Sequence, residues 1–158
     1  MNFATTRLLA SLALSVAAHA SFAVDTSPSA APDPLASVRS LIAAEQWRGA
    51  VEELKRINQP QSADWNNLMG YSLRKSKTPD LAGAESYYTE ALRIDPKHRG
   101  ALEYSGELYL MTNDLPKAEE RLAALDKLCA NACAEYNDLK KAVARYKANG
   151  NKYVAEAW

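Results

Sequence analysis

Apolar side chains recur along this chain in helical steps, three times over and at a fixed interval. Ala50, Ala84 and Ala118 are spaced 34 residues apart. Each has an apolar residue three positions before it (Trp47, Leu81, Leu115). Others come four positions later (Leu54, Tyr88, Leu122) and seven positions later (Ile57, Ala91, Leu125). Offsets of three, four and seven share one face of a helix, so the pattern predicts three amphipathic helices with a small residue at the centre of each buried stripe. A second helical series lies upstream, through Trp65–Gly70 and Leu102–Tyr109, with Gly70 and Gly106 inside it. A glycine inside a helix costs about 1 kcal/mol relative to alanine. Two of them at matching places predict that a neighbouring helix passes too close for a side chain.

The punctuation agrees with this pairing. Thr78-Pro79-Asp80 and Asn113-Asp114 with Pro116 read as helix starts, with capping side chains and proline in the first turn. Pro60 and Pro96 disfavour helical geometry at Gln59 and Asp95, which closes the second helix of each pair. After Leu128 come Cys129 and Cys133, then a helix from about Ala134 to Asn149. Tyr136, Leu139, Val143 and Tyr146 form its apolar stripe, and Lys140, Lys141, Arg145 and Lys147 weight its C-terminal end, where cations suit the helix dipole. Gly150 is placed to stop it. This reads as a cap packing its stripe on the last pair. The narrow, tyrosine-rich stripe argues against a helix lying on a membrane surface.

These residues resemble the tetratricopeptide repeat. The nearest stretch runs from Ala63 to His98, with Trp65, Leu68, Gly70, Ala84, Tyr88, Ala91 and Asp95-Pro96 in the family's places. Arg99 to Leu128 keeps Gly106, Tyr109, Ala118 and Leu122, has Leu125 in place of the later alanine, and lacks the closing proline. Leu35 to Ile57 is degenerate, with Val38 where glycine is expected, although Trp47, Ala50 and Leu54 remain. Gly70 to Ala84 is 14 residues and Gly106 to Ala118 is 12, which predicts a longer turn in the second unit and a shorter turn between the first two.

The resemblance implies an all-α, right-handed solenoid of about three helix-turn-helix units (35–59, 60–95, 96–128). A Cys junction and capping helix (129–149) and a tail (150–158) complete the chain's plan. In the family, the first helix of each unit lines a concave groove that grips a peptide or a partner's helix. The corresponding row here is Arg39 and Ile42, then Asn67, Tyr71 and Arg74, then Glu103, Glu107 and Leu110. The family's carboxylate-gripping set is not reproduced, because Leu35, Leu68 and Gly100 occupy several of its places.

The start of the chain carries a different signal. Arg7 precedes an apolar stretch from Leu8 to Ala18 that is too short to span a bilayer, then small residues at Ala18-His19-Ala20 and Ser21-Phe22-Ala23. This order predicts a secretory signal peptide over residues 1–23, cleaved after Ala23 or alternatively Ala20. The Pro/Ser/Ala-rich stretch 24–34 reads as a linker. No cysteine ends the apolar run, so lipid attachment is not available there. The style of the leader predicts a soluble protein exported to a bacterial periplasm.

Composition narrows the chemistry. The chain has 158 residues, 47% hydrophobic and 24% charged, with 19 basic and 19 acidic side chains. Zero net charge argues against a general nucleic-acid binder, which needs a basic surplus to displace counterions. Two cysteines four positions apart in an exported protein predict a disulfide between Cys129 and Cys133. Their directions fit better if the chain bends between them. The alternative is a thiol or copper-handling site, for which His98 and Met111 are the nearest further ligands, at no favourable spacing.

Without the leader His98 is the only histidine, in the Asp95–His98 turn where a solvated residue is normal. No phosphate loop, H-E-x-x-H or G-x-S-x-G motif occurs. The pairs Glu52-Glu53 and Glu119-Glu120 point to different helix faces. The expectation is therefore a non-catalytic adaptor or assembly factor without metal or cofactor. It would bind an envelope protein through Arg39, Asn67, Tyr71, Arg74, Glu103 and Glu107. A third reading is a homo-oligomer assembled through the 150–158 tail.

Overall fold

The computed structural model describes residues 33–130 and 132–154. The predicted signal peptide, most of the predicted linker, position 131 and the final four positions lie outside the described residues. Among those described there are seven helices and no strand: α1 (Ala36–Ala43), α2 (Trp47–Ile57), α3 (Ala63–Lys75), α4 (Leu81–Ile94), α5 (Arg99–Met111), α6 (Leu115–Cys129) and α7 (Ala134–Ala148). Helices pack as successive hairpins, α1 on α2, α3 on α4 and α5 on α6. Contacts of α2 with α3 and of α4 with α5 join one hairpin to the next, and α7 lies against both α5 and α6. This is an all-α solenoid.

Local chemistry sets the starts. The side chains of Ser62, Asp80, His98 and Asp114 each accept a hydrogen bond from the backbone N–H three residues on, satisfying a donor the helix cannot satisfy itself. Pro116 stands in the first turn of α6, as its sequence predicts. Pro79 does not. It precedes the Asp80 cap, so it ends the preceding connection instead of opening α4. Pro60 is likewise not what stops α2. Asn58 closes that helix in the left-handed region (φ 51°), with its N–H donating to the Leu54 carbonyl.

The long turn of the second unit is the 76–80 connection, five residues against three at 44–46 and 112–114. The turn between the first two units is not short. It spans 58–62, and the shortening falls in α2, which has 11 residues where α4 has 14 and α6 has 15.

Three helices end alike. After α1, α5 and α7 the chain reverses through a left-handed residue, Glu45 (φ 54°), Asn113 (φ 61°) and Gly150 (φ 69°). The next N–H reaches back to the carbonyl five residues earlier, from Gln46 to Leu41, Asp114 to Tyr109 and Asn151 to Tyr146. This paired-bond reversal satisfies carbonyls a helix end leaves bare. By this signature α7 ends like the first helix of a unit.

The core forms two adjoining clusters. Leu35, Val38, Ala50, Leu54, Trp65 and Met69 build the first. Tyr88, Leu102, Leu108, Leu125, Leu139 and Tyr146 are central to the second. Ala50, Ala84 and Ala118 are fully buried. Both glycine contacts exist. A Cβ on Gly70 would stand 2.8 Å from the Tyr88 ring and 3.0 Å from the Ala84 carbonyl, and one on Gly106 would stand 2.6 Å from Leu139. Trp65 ties neighbouring hairpins by donating its indole N–H to the Leu54 carbonyl at 2.8 Å.

Candidate functional site

Steps of three and four bring one face of α3, one of α5 and one of α7 around a shared depression of about 390 Å³. Tyr71, Arg74 and Lys75 come from α3. Glu103, Tyr104 and Glu107 come from α5, and Asp138, Lys141 and Arg145 from α7.

An aromatic ladder runs along it. Trp47 meets Tyr71 edge-on at 5.8 Å between centroids, Tyr71 meets Tyr104 at 4.5 Å, and Tyr104 meets the buried Tyr88 at 6.5 Å. Such pairs contribute about 0.5–1.5 kcal/mol each beyond the area they cover.

At the centre sits Arg74, only 4% exposed. Its Nη2 donates to Glu107 Oε2 at 2.7 Å, and its guanidinium lies 5.5 and 5.6 Å from the Tyr71 and Tyr104 rings. Burial opposes its charge, but Tyr88 and Glu107 beside it outweigh burial and hold Arg74 above the usual guanidinium range. A buried pair of this kind gives little net stability, yet breaking it strands a charge at about 3–5 kcal/mol. Arg74 Nε, the Tyr88 hydroxyl and Asn67 Oδ1 are buried without a hydrogen-bond partner.

Glu103 is the electrostatic counterpart. Burial first, then the like charges of Glu107, Asp138 and Glu135, push its carboxyl up to about 8, with Arg74 opposing. Near neutrality it is therefore mainly the neutral acid, able to donate a hydrogen bond into the groove as well as accept one. Burial also raises the phenols of Tyr71 and Tyr104.

Four of the six predicted groove residues, Tyr71, Arg74, Glu103 and Glu107, line this depression. The other two do not. Arg39 lies at the N-terminal end, exposed, within 3.1 Å of Asp33 and 3.5 Å of Asp64. Asn67 is 6% exposed and faces α5, where a Cβ on Gly100 would approach its Nδ2 to 3.1 Å. Two further members of the predicted row also change role. Leu110 is fully buried in the second core cluster, and Ile42 packs partly buried against the first.

The wall from α7 is what sequence reasoning missed. Asp138, Lys141 and Arg145 recur in steps of three and four opposite the apolar stripe, a signal that a reading of α7 as a cap alone passes over. His98 was missed as well. Far from a solvated turn residue, its Nδ1 accepts from the Ala101 N–H at 3.0 Å and its Nε2 lies 3.0 Å from Asp64 Oδ1. It therefore ties the start of α5 to α3.

Cys129 is the last residue of α6 and Cys133 precedes α7. Their sulfurs are 2.11 Å apart and their α-carbons 5.4 Å, with left-handed Ala130 (φ 44°) bending the chain between them. Among the described residues no cluster of three or more His, Cys, Asp or Glu is arranged to hold a metal ion, and no helix is long and apolar enough to cross a membrane.

No curated protein matches the chain significantly. A tetratricopeptide-repeat family model matches residues 79–143, running through α4, α5 and α6 into the first ten residues of α7. With the stacked hairpins, the alanines at the stripe centres and the two glycine contacts, that match makes residues 79–143 a tetratricopeptide-repeat segment.

Proposed function

We propose that this protein is a non-catalytic interaction module of the bacterial cell envelope that binds a peptide or helix of another protein in the α3/α5/α7 groove. Tetratricopeptide repeats are typically interaction modules, and the observation that carries the reading is the groove's makeup. It has a tyrosine floor, which binds with little rotamer loss, and a rim of mixed charge that can fix the register of a peptide. Export rests on the leader over residues 1–23. In an oxidising compartment Cys129 and Cys133 form a disulfide that fixes α7, and with it one wall of the groove, against α6.

The test places a photo-crosslinking residue at Tyr71 in the groove or at the exposed Ser86 on α4, in intact cells. A defined adduct formed from position 71 but not 86, and reduced by Lys141→Glu, supports groove binding. Lys141 is exposed and outside the core, so this variant keeps the fold, which Arg74→Glu would not. The same adducts from both positions would sink the reading. Fractionation with N-terminal sequencing checks export, with Val24 or Ser21 expected first.

A further inference from the structure

The reversal at the ends of α1 and α5 launches a second helix, but after α7 residues 152–154 are not helical. They are nevertheless aimed. The bonds from Gly150 to Lys147 (3.1 Å) and Asn151 to Tyr146 (3.0 Å) fix the turn, and Asn149 Nδ2 donates to the Lys152 carbonyl at 3.1 Å. Tyr153 then packs, half-buried, against the second core cluster. Burial raises its phenol, and the charges felt there are those of Arg74 on α3 and Glu107 on α5, the two residues at the centre of the groove. The turn therefore brings Tyr153 back onto the core that backs the groove, instead of sending the chain away into solvent.

Beyond Tyr153 the sequence is Val-Ala-Glu-Ala-Trp. Extended, five residues reach up to ~17 Å. That length exceeds the two steps of the aromatic ladder taken together, 4.5 Å from Tyr104 to Tyr71 and 5.8 Å on to Trp47. The segment also has matching chemistry. Trp158 supplies a ring for the tyrosine floor, and Glu156 a carboxylate for walls that carry Lys75, Lys141 and Arg145.

We propose that residues 152–158 are an intrachain ligand of the α3/α5/α7 groove, so that a partner peptide binds only by displacing them. This rests on reading that groove as the binding face. A short tether gives an effective concentration in the millimolar range, so a segment whose free affinity is only about 100 μM would fill the groove in about nine molecules of ten or more. A competing peptide would then bind roughly tenfold more weakly, or worse.

The test titrates a fluorescent peptide of residues 150–158 into the purified full chain and into a chain lacking 152–158, each checked by thermal melting. The expected result is binding to the shortened chain and at least tenfold weaker binding to the full one. The full-length double variant Tyr153→Ala/Trp158→Ala keeps the turn and the tether, and should bind the peptide as the shortened chain does. Equal affinity for the full and shortened chains, no binding to a shortened chain that melts normally, or a double variant that behaves like the parent would each overturn the proposal. So would sedimentation of the full chain as a dimer that becomes monomeric on shortening, because the segment would then occupy a second copy. The broader reading fails separately. If the peptide results come out as expected while crosslinking from position 71 finds no envelope partner, the intrachain ligand stands and partner binding falls.

Discussion

The two ends of the helix stack are held by different means. At the N-terminal end α1 has eight residues, no side-chain cap, and Val38 as its single buried residue. Its polar ties, Arg39 to Asp33 and Asp64, join side chains about half exposed, where an ion pair contributes about 0–1 kcal/mol. At the C-terminal end α7 has fifteen residues and buries Tyr136, Leu139, Ala142, Val143 and Tyr146. Leu139 fills the space left by Gly106, Lys147 pairs with Glu119, and Cys129 and Cys133 meet at its base. The difference teaches that a terminal helix is secured by the length of stripe it presents. A single buried residue flanked by the half-buried Leu41 and Ile42 closes one end thinly, and a buried stripe of about three turns makes the other a full helix interface.

The sharpest way to break this comparison is Leu139→Ala. Removing a fully buried leucine from a close helix contact should cost about 2–5 kcal/mol in urea unfolding. Val38→Ala should cost less, about 1–3 kcal/mol, and should raise amide exchange locally in α1. Equal losses with equal spread of exchange would mean the ends are alike. Next in size is Cys133→Ser in oxidised protein. Opening so small a loop should lower stability by about 2 kcal/mol by the chain-entropy estimate, with the fold retained.

The smallest effect is electrostatic and lies beside α7. The folded-state carboxyl of Glu103 is raised to about 8, above an unfolded value of about 4.3. The folded protein therefore holds this proton more tightly than the unfolded chain. Its contribution is fully present below the unfolded value and is lost as pH rises through 8. Glu103→Gln should flatten the fall in stability between pH 5 and 9 and stabilise the protein at pH 9 by ~1–2 kcal/mol after solvent screening. Melts of parent and variant with parallel pH profiles would refute that assignment.

Much of the fold was legible because its signals are local or steric. Alanines at the stripe centres, glycines at close crossings and the Gly150 stop each state a requirement of their own surroundings. The proline readings were less reliable, since Pro60 and Pro79 flank helix ends that Asn58 and Asp80 define. The groove was legible only in part. A spacing of three and four places Asn67, Tyr71 and Arg74 on one row, but the angle at which α5 crosses α3 decides which of them is covered, and it covers Asn67. Leu110 comes three positions after Glu107, yet the same rotation turns it into the core. The α7 wall and the His98–Asp64 link depend on segments some 34 residues apart coming together, which no short-range pattern encodes.

The neutral state of Glu103 also bears on how fast a ligand arrives. Among the described residues that line the groove, Arg74, Lys75, Lys141 and Arg145 face Glu107 and Asp138, four cations against two anions, a charge of +2 on that lining while Glu103 keeps its proton. Ionising Glu103 reduces that to +1. An acidic segment is thus drawn in by a field that weakens as pH passes 8 and as added salt shortens its range, whereas a neutral apolar one diffuses in at a rate indifferent to both.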